Sequence, residues 1–153
     1  MKREISLSTD LRLSQERLSE KTWVLFPLGT IDSVSSEEFG NRIRKFLDEN
    51  GPSSNLLLDM SGVKYISSIG LGALISLLRK SKQDGSEFGV YNPQLAVRRV
   101  LEISKLDFLL VKTEGLDPQG PFTNYVQKKE AEKALVEAAK AQAARPQARP
   151  GRP

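Results

Sequence analysis

An α/β fold, a four- to five-stranded mixed and mostly parallel sheet with helices packed on it, follows from three features of the 153-residue sequence. Apolar runs short enough to be strands alternate with segments of helical period. Every strand after the first two is separated from the next by such a segment, and parallel strands need helical crossovers. The length suits one domain of ordinary size.

After a polar lead-in over residues 1–8, Leu11-Arg12-Leu13 alternates and Trp23-Val24-Leu25-Phe26-Pro27-Leu28 is a β-rich apolar run that Gly29 ends. The two read as an antiparallel pair. Pro27 has no amide to donate, so an irregularity or an open side is expected near it. From Ser33 the period changes: Ser35 and Glu38 have capping-box spacing, and Phe39, Ile43, Phe46 and Leu47 share one helical face. Asn50-Gly51-Pro52 closes that helix.

Leu56-Leu57-Leu58 is too short for a helix, and its unbroken apolarity suits a central strand covered on both faces. Leu71, Leu74, Ile75 and Leu78 predict a second helix from about Ser68, with Arg79, Lys80 and Lys82 at its negative end and Asp84-Gly85 as its stop. Phe88-Gly89-Val90-Tyr91 reads as a strand. Asn92 as N-cap and Pro93 at the first helical position open a third helix, with Val97, Val100, Leu101 and Ser104 on one face. Residues 107–112, with Phe108-Leu109-Leu110-Val111, read as a final strand. Trp23, Phe26, Phe39, Phe46, Phe88 and Phe108 are expected in the core.

Residues 116–123 read as a linker, and 124–144 as a helical extension rich in Ala, Glu and Lys with little apolar surface for docking. Residues 145–153, Arg-Pro-Gln-Ala-Arg-Pro-Gly-Arg-Pro, are expected to be disordered. The net charge of +4 arises there: residues 1–127 hold 16 basic and 16 acidic side chains, whereas 128–153 hold 7 and 3. With one aromatic residue near its start, Tyr125, the extension reads as solvated, and direct nucleic-acid binding is not expected.

The absence of Cys and His removes disulfides, thiolate chemistry and the residue that most often serves as general base or zinc ligand. No enzyme, metal site or cofactor is expected. The first residues lack the apolar core of a signal peptide, and no apolar run approaches the ~20 residues of a membrane span. A cytoplasmic protein without membrane insertion is the expectation.

The informative stretch is Asp59-Met60-Ser61-Gly62-Val63-Lys64-Tyr65-Ile66-Ser67-Ser68-Ile69-Gly70-Leu71-Gly72. It reads as a buried strand, a short loop, and a hydroxyl at the start of an amphipathic helix, with Ser68 as the plain N-cap. Gly70 and Gly72 each cost roughly 1 kcal/mol of helix propensity. Their missing side chains should leave the first turn open to another backbone, flanked by Ile69 and Leu71. A phosphate is tolerated at a helix N-terminus, so modification there would alter the surface without unfolding the domain. Asp32 and Asp59 are the candidate carboxylates nearby, and Asp59, ending a buried strand, is expected to fix a turn.

Leu58-Asp59-Met60-Ser61-Gly62-Val63 followed by Tyr65-Ile66-Ser67-Ser68-Ile69-Gly70-Leu71-Gly72 resembles the signature of STAS domains, in particular bacterial anti-sigma factor antagonists. Gly29-Thr30-Ile31-Asp32 is similar to that family's turn before its first helix. The stretch from Asn92-Pro93 to Leu106-Asp107 is similar to its third helix and last strand. The resemblance spans residues 9–115 and implies a STAS-like fold.

It further implies that a partner anti-sigma factor, itself a serine kinase, phosphorylates the serine that falls on Ser68, and that a PP2C-type phosphatase reverses this. The family's acidic turn residue facing the kinase falls on Asp32, and the docking surface on Ser67, Ser68, Ile69, Gly70, Leu71 and Gly72. Ser67 stands where many members have Asp, and Ile69 where they have Ser or Ala, which makes Ser67 a second candidate acceptor. The unmodified chain would then bind the kinase and free a sigma factor. The alternative is a constitutive scaffold or accessory subunit, in a stress-signalling complex or a lipid-transport ABC system, that docks through the same patch without switching.

Overall fold

Residues 3–6, 11–50, 54–114 and 116–144 are described in a computed structural model of the chain. Among them the strands are β1 (Arg3–Ser6), β2 (Arg12–Ser19), β3 (Thr22–Ile31), β4 (Asn55–Asp59), β5 (Val63–Ile66) and β6 (Phe88–Tyr91). The helices are α1 (Ser36–Asn50), α2 (Ser68–Asp84), α3 (Leu95–Ile103) and α4 (Thr123–Ala144). The sheet runs β1-β2-β3-β4-β6, with β5 also paired to β3. Pairs β1–β2 and β2–β3 are antiparallel, and β3–β4, β3–β5 and β4–β6 are parallel, so the expected α/β architecture is present.

β3 organises the sheet. Its first half, residues 22–25, pairs with β4 and its end, residues 29–31, with β5. Pro27 lies where one parallel neighbour has left and the other has not yet joined, the irregular position its missing amide requires. Gly29 does not end the strand as expected. It takes a φ of 124°, shifts the register and carries the strand on to Ile31.

Leu56, Leu57 and Leu58 of β4 are fully buried because the strand is covered on both faces. Leu56 and Leu58 join Leu25, Ile31, Phe39, Ile43, Leu74 and Leu101 in the larger core under α1, α2 and α3. Leu57, Val24 and Tyr91 face the other way and meet Phe122, Tyr125 and Val126. Each buried Leu or Val contributes about 1.5–3 kcal/mol. The first turn of α4 is therefore docked, against the expectation of a solvated extension. Three apolar side chains at its start suffice, although the helix is exposed over residues 131–143.

Other expectations are corrected. The lead-in contains β1, and Val63–Ile66, read as a loop, is β5. Residues 107–112 form no strand: Asp107–Leu109 is a 3-10 turn, and Leu110 makes an isolated bridge to Val90. Leu106 and Leu109 are buried three residues apart, the period of a 3-10 turn, which turns Phe108 outward to 64% exposure rather than into the core. α3 starts later than expected. Asn92 adopts φ 55°, a left-handed conformation Asn tolerates, and Gln94 is the N-cap without a side-chain capping bond. Ser104 is exposed at the end of that helix. α2 stops as expected at Gly85, whose φ of 70° lets its amide turn back to Lys82 and Ser81. The expected stop at Gly51-Pro52 and the expected disorder of 145–153 lie outside the described residues.

Candidate functional site

The candidate residues gather where β3 and β5 end and α1 and α2 begin. The β3 end is turned by Asp32. Its Oδ1 accepts the amides of Val34 and Ser35 at 2.9 and 3.0 Å, and its own amide donates to the Ser35 hydroxyl at 3.0 Å. That hydroxyl donates to Thr30 O at 2.8 Å, so Ser35 ties the turn to the strand. The Ser35 amide, followed by that of Val34, holds the Asp32 carboxyl below its ordinary range. Asp32 is anionic at neutral pH. The turn also presents Val34, 73% exposed, which the sequence reading did not single out. Its one available signal was its place directly after the Asp32-Ser33 turn, where an apolar residue has nothing to bury against.

The β5 end lies beside this turn. Ile66 pairs with Ile31, and the Ser67 amide donates to Ile31 O at 2.8 Å, so Ser67 and Asp32 flank one β3 residue. Ser67, not Ser68, is the N-cap of α2: its hydroxyl accepts the Gly70 amide at 3.1 Å, and its carbonyl takes the Leu71 amide. Ser68 is the first helical residue and is exposed. Its hydroxyl has no hydrogen-bond partner among the described residues, and the Ser68 and Ile69 amides head the helix without intrahelical acceptors.

The two glycines differ. A Cβ on Gly70 would lie 2.7 Å from Ile66 Cγ1, 2.8 Å from Ile31 Cγ2 and 3.0 Å from Ile31 O, so its bare backbone serves close packing on this chain's own strand. The expectation that it is open to another backbone is corrected. Gly72 is exposed and meets nothing within 4 Å. Leu71 turns inward and is buried in the core, which leaves Ile69, 57% exposed, as the apolar side chain beside Ser68.

A family model for the STAS domain matches residues 17–117. The chain belongs to the STAS domain family. The STAS fold here is similar to the anti-sigma factor antagonist SpoIIAA in its unphosphorylated form, with 18% identity and a TM-score of 0.59 over 82% of this chain and 96% of that one. It is similar to the Bacillus cell fate determinant SpoIIAA in its phosphorylated form, at 17% identity and TM-score 0.54 over 80% and 98%. An anti-sigma factor antagonist from Mycobacterium paratuberculosis is 25% identical, with TM-score 0.58 over 72% and 92%.

Behind the STAS site, Asp59 fixes the turn after β4 as expected, through its Oδ1 and the Ser61 amide at 3.1 Å. Its Oδ2 accepts the Tyr125 hydroxyl of α4 at 2.8 Å in a buried contact. Burial, then the Asp59 charge, raises the Tyr125 phenol far above its usual range, so it stays a donor. Glu130 accepts the Tyr91 hydroxyl, and Lys133 Nζ lies 3.1 Å from Asn92 Oδ1. Asp59 is thus a structural carboxylate tied to the C-terminal helix. Among the described residues no helix is long and apolar enough to cross a membrane.

Proposed function

We propose that this STAS domain is an anti-sigma factor antagonist, a non-enzymatic switch module. Unmodified, it binds an anti-sigma serine kinase through the Asp32 turn and the first turn of α2 and frees a sigma factor. Phosphorylated on Ser68, it releases the kinase, and a PP2C-type phosphatase resets it. The phosphoryl transfer belongs to the kinase, and the chain supplies the accepting hydroxyl.

One observation carries this reading: of the two adjacent serines, Ser67 spends its hydroxyl on capping α2, whereas Ser68 presents a free hydroxyl at the exposed head of the same helix. A phosphate on Ser68 would add about −1.5 to −2 charges at the exposed head of α2. Locally the helix N-terminus favours that charge by about 0.3–1 kcal/mol. The scaffold therefore keeps its stability, while a partner that buries Ile69 and Val34 must desolvate a dianion. Each 1.4 kcal/mol of that penalty is tenfold in affinity, so two such steps suffice for a switch. The phosphorylated and unphosphorylated forms of the similarly folded SpoIIAA support this use of the fold.

Binding of the full chain to an anti-sigma serine kinase from the same organism tests the reading. Ser68→Ala binds as tightly as the unmodified chain and resists release by ATP, and Ser68→Glu binds weakly. Equal binding by all three, unaffected by ATP, would favour the constitutive scaffold instead.

A further inference from the structure

Side chains alternate along β3 between the two faces of the sheet. Leu25 and Ile31 belong to the core under α1, α2 and α3, whereas Val24 and Phe26 belong to the core under α4. Leu28 follows Phe26 on the α4 face. β5 adds Tyr65 to that face: it pairs with Thr30, and its neighbour Ile66 points into the opposite core. α4 covers the face as far as Phe26, whose ring centroid lies 6.3 Å from that of Tyr125. Beyond it Leu28 and Tyr65 stay 53% and 49% exposed. A Cβ on Gly62 would lie 2.8 Å from Leu28 Cδ1, so the leucine leans over the residue that leads into β5.

These two side chains adjoin the Ser68 surface. Tyr65 and Thr30 stand one row before Ile66 and Ile31, and the next row holds Ser67 and Asp32. The Ser35 hydroxyl ties Thr30 to the turn that carries Val34. Val34 and Ile69 are thus exposed where α1 and α2 begin, and Leu28 and Tyr65 on the other face of the same two strands. A protein whose active site closes on the Ser68 hydroxyl must cover more than that hydroxyl and two side chains, because a specific interface takes about 800 Å² from each partner. Among the described residues, the other large exposed apolar side chains lie on α3, the 3-10 turn and α4. Leu28 and Tyr65 are the apolar surface that continues the site, and tyrosine is among the residues that most often dominate an interface.

We infer that the anti-sigma serine kinase wraps the ends of β3 and β5 and seats apolar side chains on Leu28 and Tyr65, an inference that rests on the function proposed above. The sheet separates this contact from the Ser68 hydroxyl, so it favours the modified and the unmodified chain alike. It sets how tightly the kinase holds the domain, and Ser68 sets in which state.

Calorimetry of the full chain with an anti-sigma serine kinase from the same organism tests this. Leu28→Thr and Tyr65→Thr are made singly and together, in the native background and with Ser68→Glu, and Leu135→Ala serves as a control outside the surface. Threonine suits a strand, and the melting temperature checks the fold of each variant, so a defect in one does not decide the outcome. The Leu28/Tyr65 variant should bind at least about tenfold more weakly than the unaltered chain, the same factor should separate the triple variant from Ser68→Glu, and Leu135→Ala should bind unchanged. If the Leu28 and Tyr65 variants bind as the unaltered chain does while Ser68→Glu binds weakly, the inference is overturned and the switch stands. A loss confined to the native background, or matched by Leu135→Ala, overturns it as well. Ser68→Glu binding as tightly as the unaltered chain would remove the switch reading and this inference with it.

Discussion

Ser67 and Ser68 show how one step along a helix start changes the use of a hydroxyl. Both were legible as candidates, and the sequence reading placed the cap one residue late because either serine satisfies the composition of an N-cap. What decides is the strand: Ser67 is bound to Ile31 O and so is held in the extended conformation a cap needs. Ser67→Ala should cost about 1 kcal/mol and lower the melting temperature by about 2–4 °C, whereas Ser68→Ala should stay within about 0.5 kcal/mol. The glycines separate in the same way. Gly70→Ala forces a methyl against Ile31 and Ile66 and should destabilise by about 1–3 kcal/mol, while Gly72→Ala enters open space and should stabilise by up to about 1 kcal/mol. Thermal or urea denaturation reads all four.

Asp32 adds a pH signature. Its carboxyl is held below its ordinary value of 3.8 by the Ser35 and Val34 amides. Its charge therefore contributes stability fully above that value, and the contribution is lost as pH falls through the lowered folded-state pKa. The melting temperature of the native chain should exceed that of Asp32→Asn at pH 7, and the gap should close as pH falls below 3.8. A gap unchanged at pH 2.5 would contradict this assignment.

At the scale of elements, long periodic segments were legible and short ones were not. α1 and α2 follow directly from their apolar spacing, and β4 from an apolar run with nowhere to hide except between two layers. Val63-Lys64-Tyr65-Ile66 escaped because only its two ends are buried, so four residues give no alternation to read. Phe108-Leu109-Leu110-Val111 has strand composition, but Lys105 at φ 60° and the 3-10 turn redirect it, and local pattern does not register a left-handed residue upstream. α4 shows the converse error. Its composition is polar overall, yet Tyr125 alone links it to a buried carboxylate 66 residues away. Tyr125→Phe leaves Asp59 Oδ2 short of that donor and should cost about 1–3 kcal/mol, whereas Leu135→Ala on the exposed part of α4 should stay within about 0.5 kcal/mol. Chemical denaturation of the two variants checks the contrast.

The whole molecule divides its labour between ends and faces. Packing on both faces of the sheet fixes the scaffold, and the ends of β3 and β5 present Val34, Ser68 and Ile69 to solvent beside the turn that Asp32 holds, on a base that does not need those three side chains for stability. That separation is what a phosphate-operated surface requires, since the modified residue must be replaceable without loss of fold. The fold and the Ser68 region were legible because the glycine-flanked helix start and the apolar strand before it are local patterns. The exposure of Val34 was not, because it depends on how the turn before α1 seats against β3. The most direct measurement is phosphosite mapping of the full chain after reaction with the proposed anti-sigma serine kinase and ATP, paired with kinase affinity and melting temperature before and after. The account predicts a phosphate on Ser68, at least about tenfold weaker binding and an unlowered melting temperature. A phosphate on Ser67 with Ser68 unmodified, or a fully Ser68-phosphorylated chain that binds as before, would contradict it.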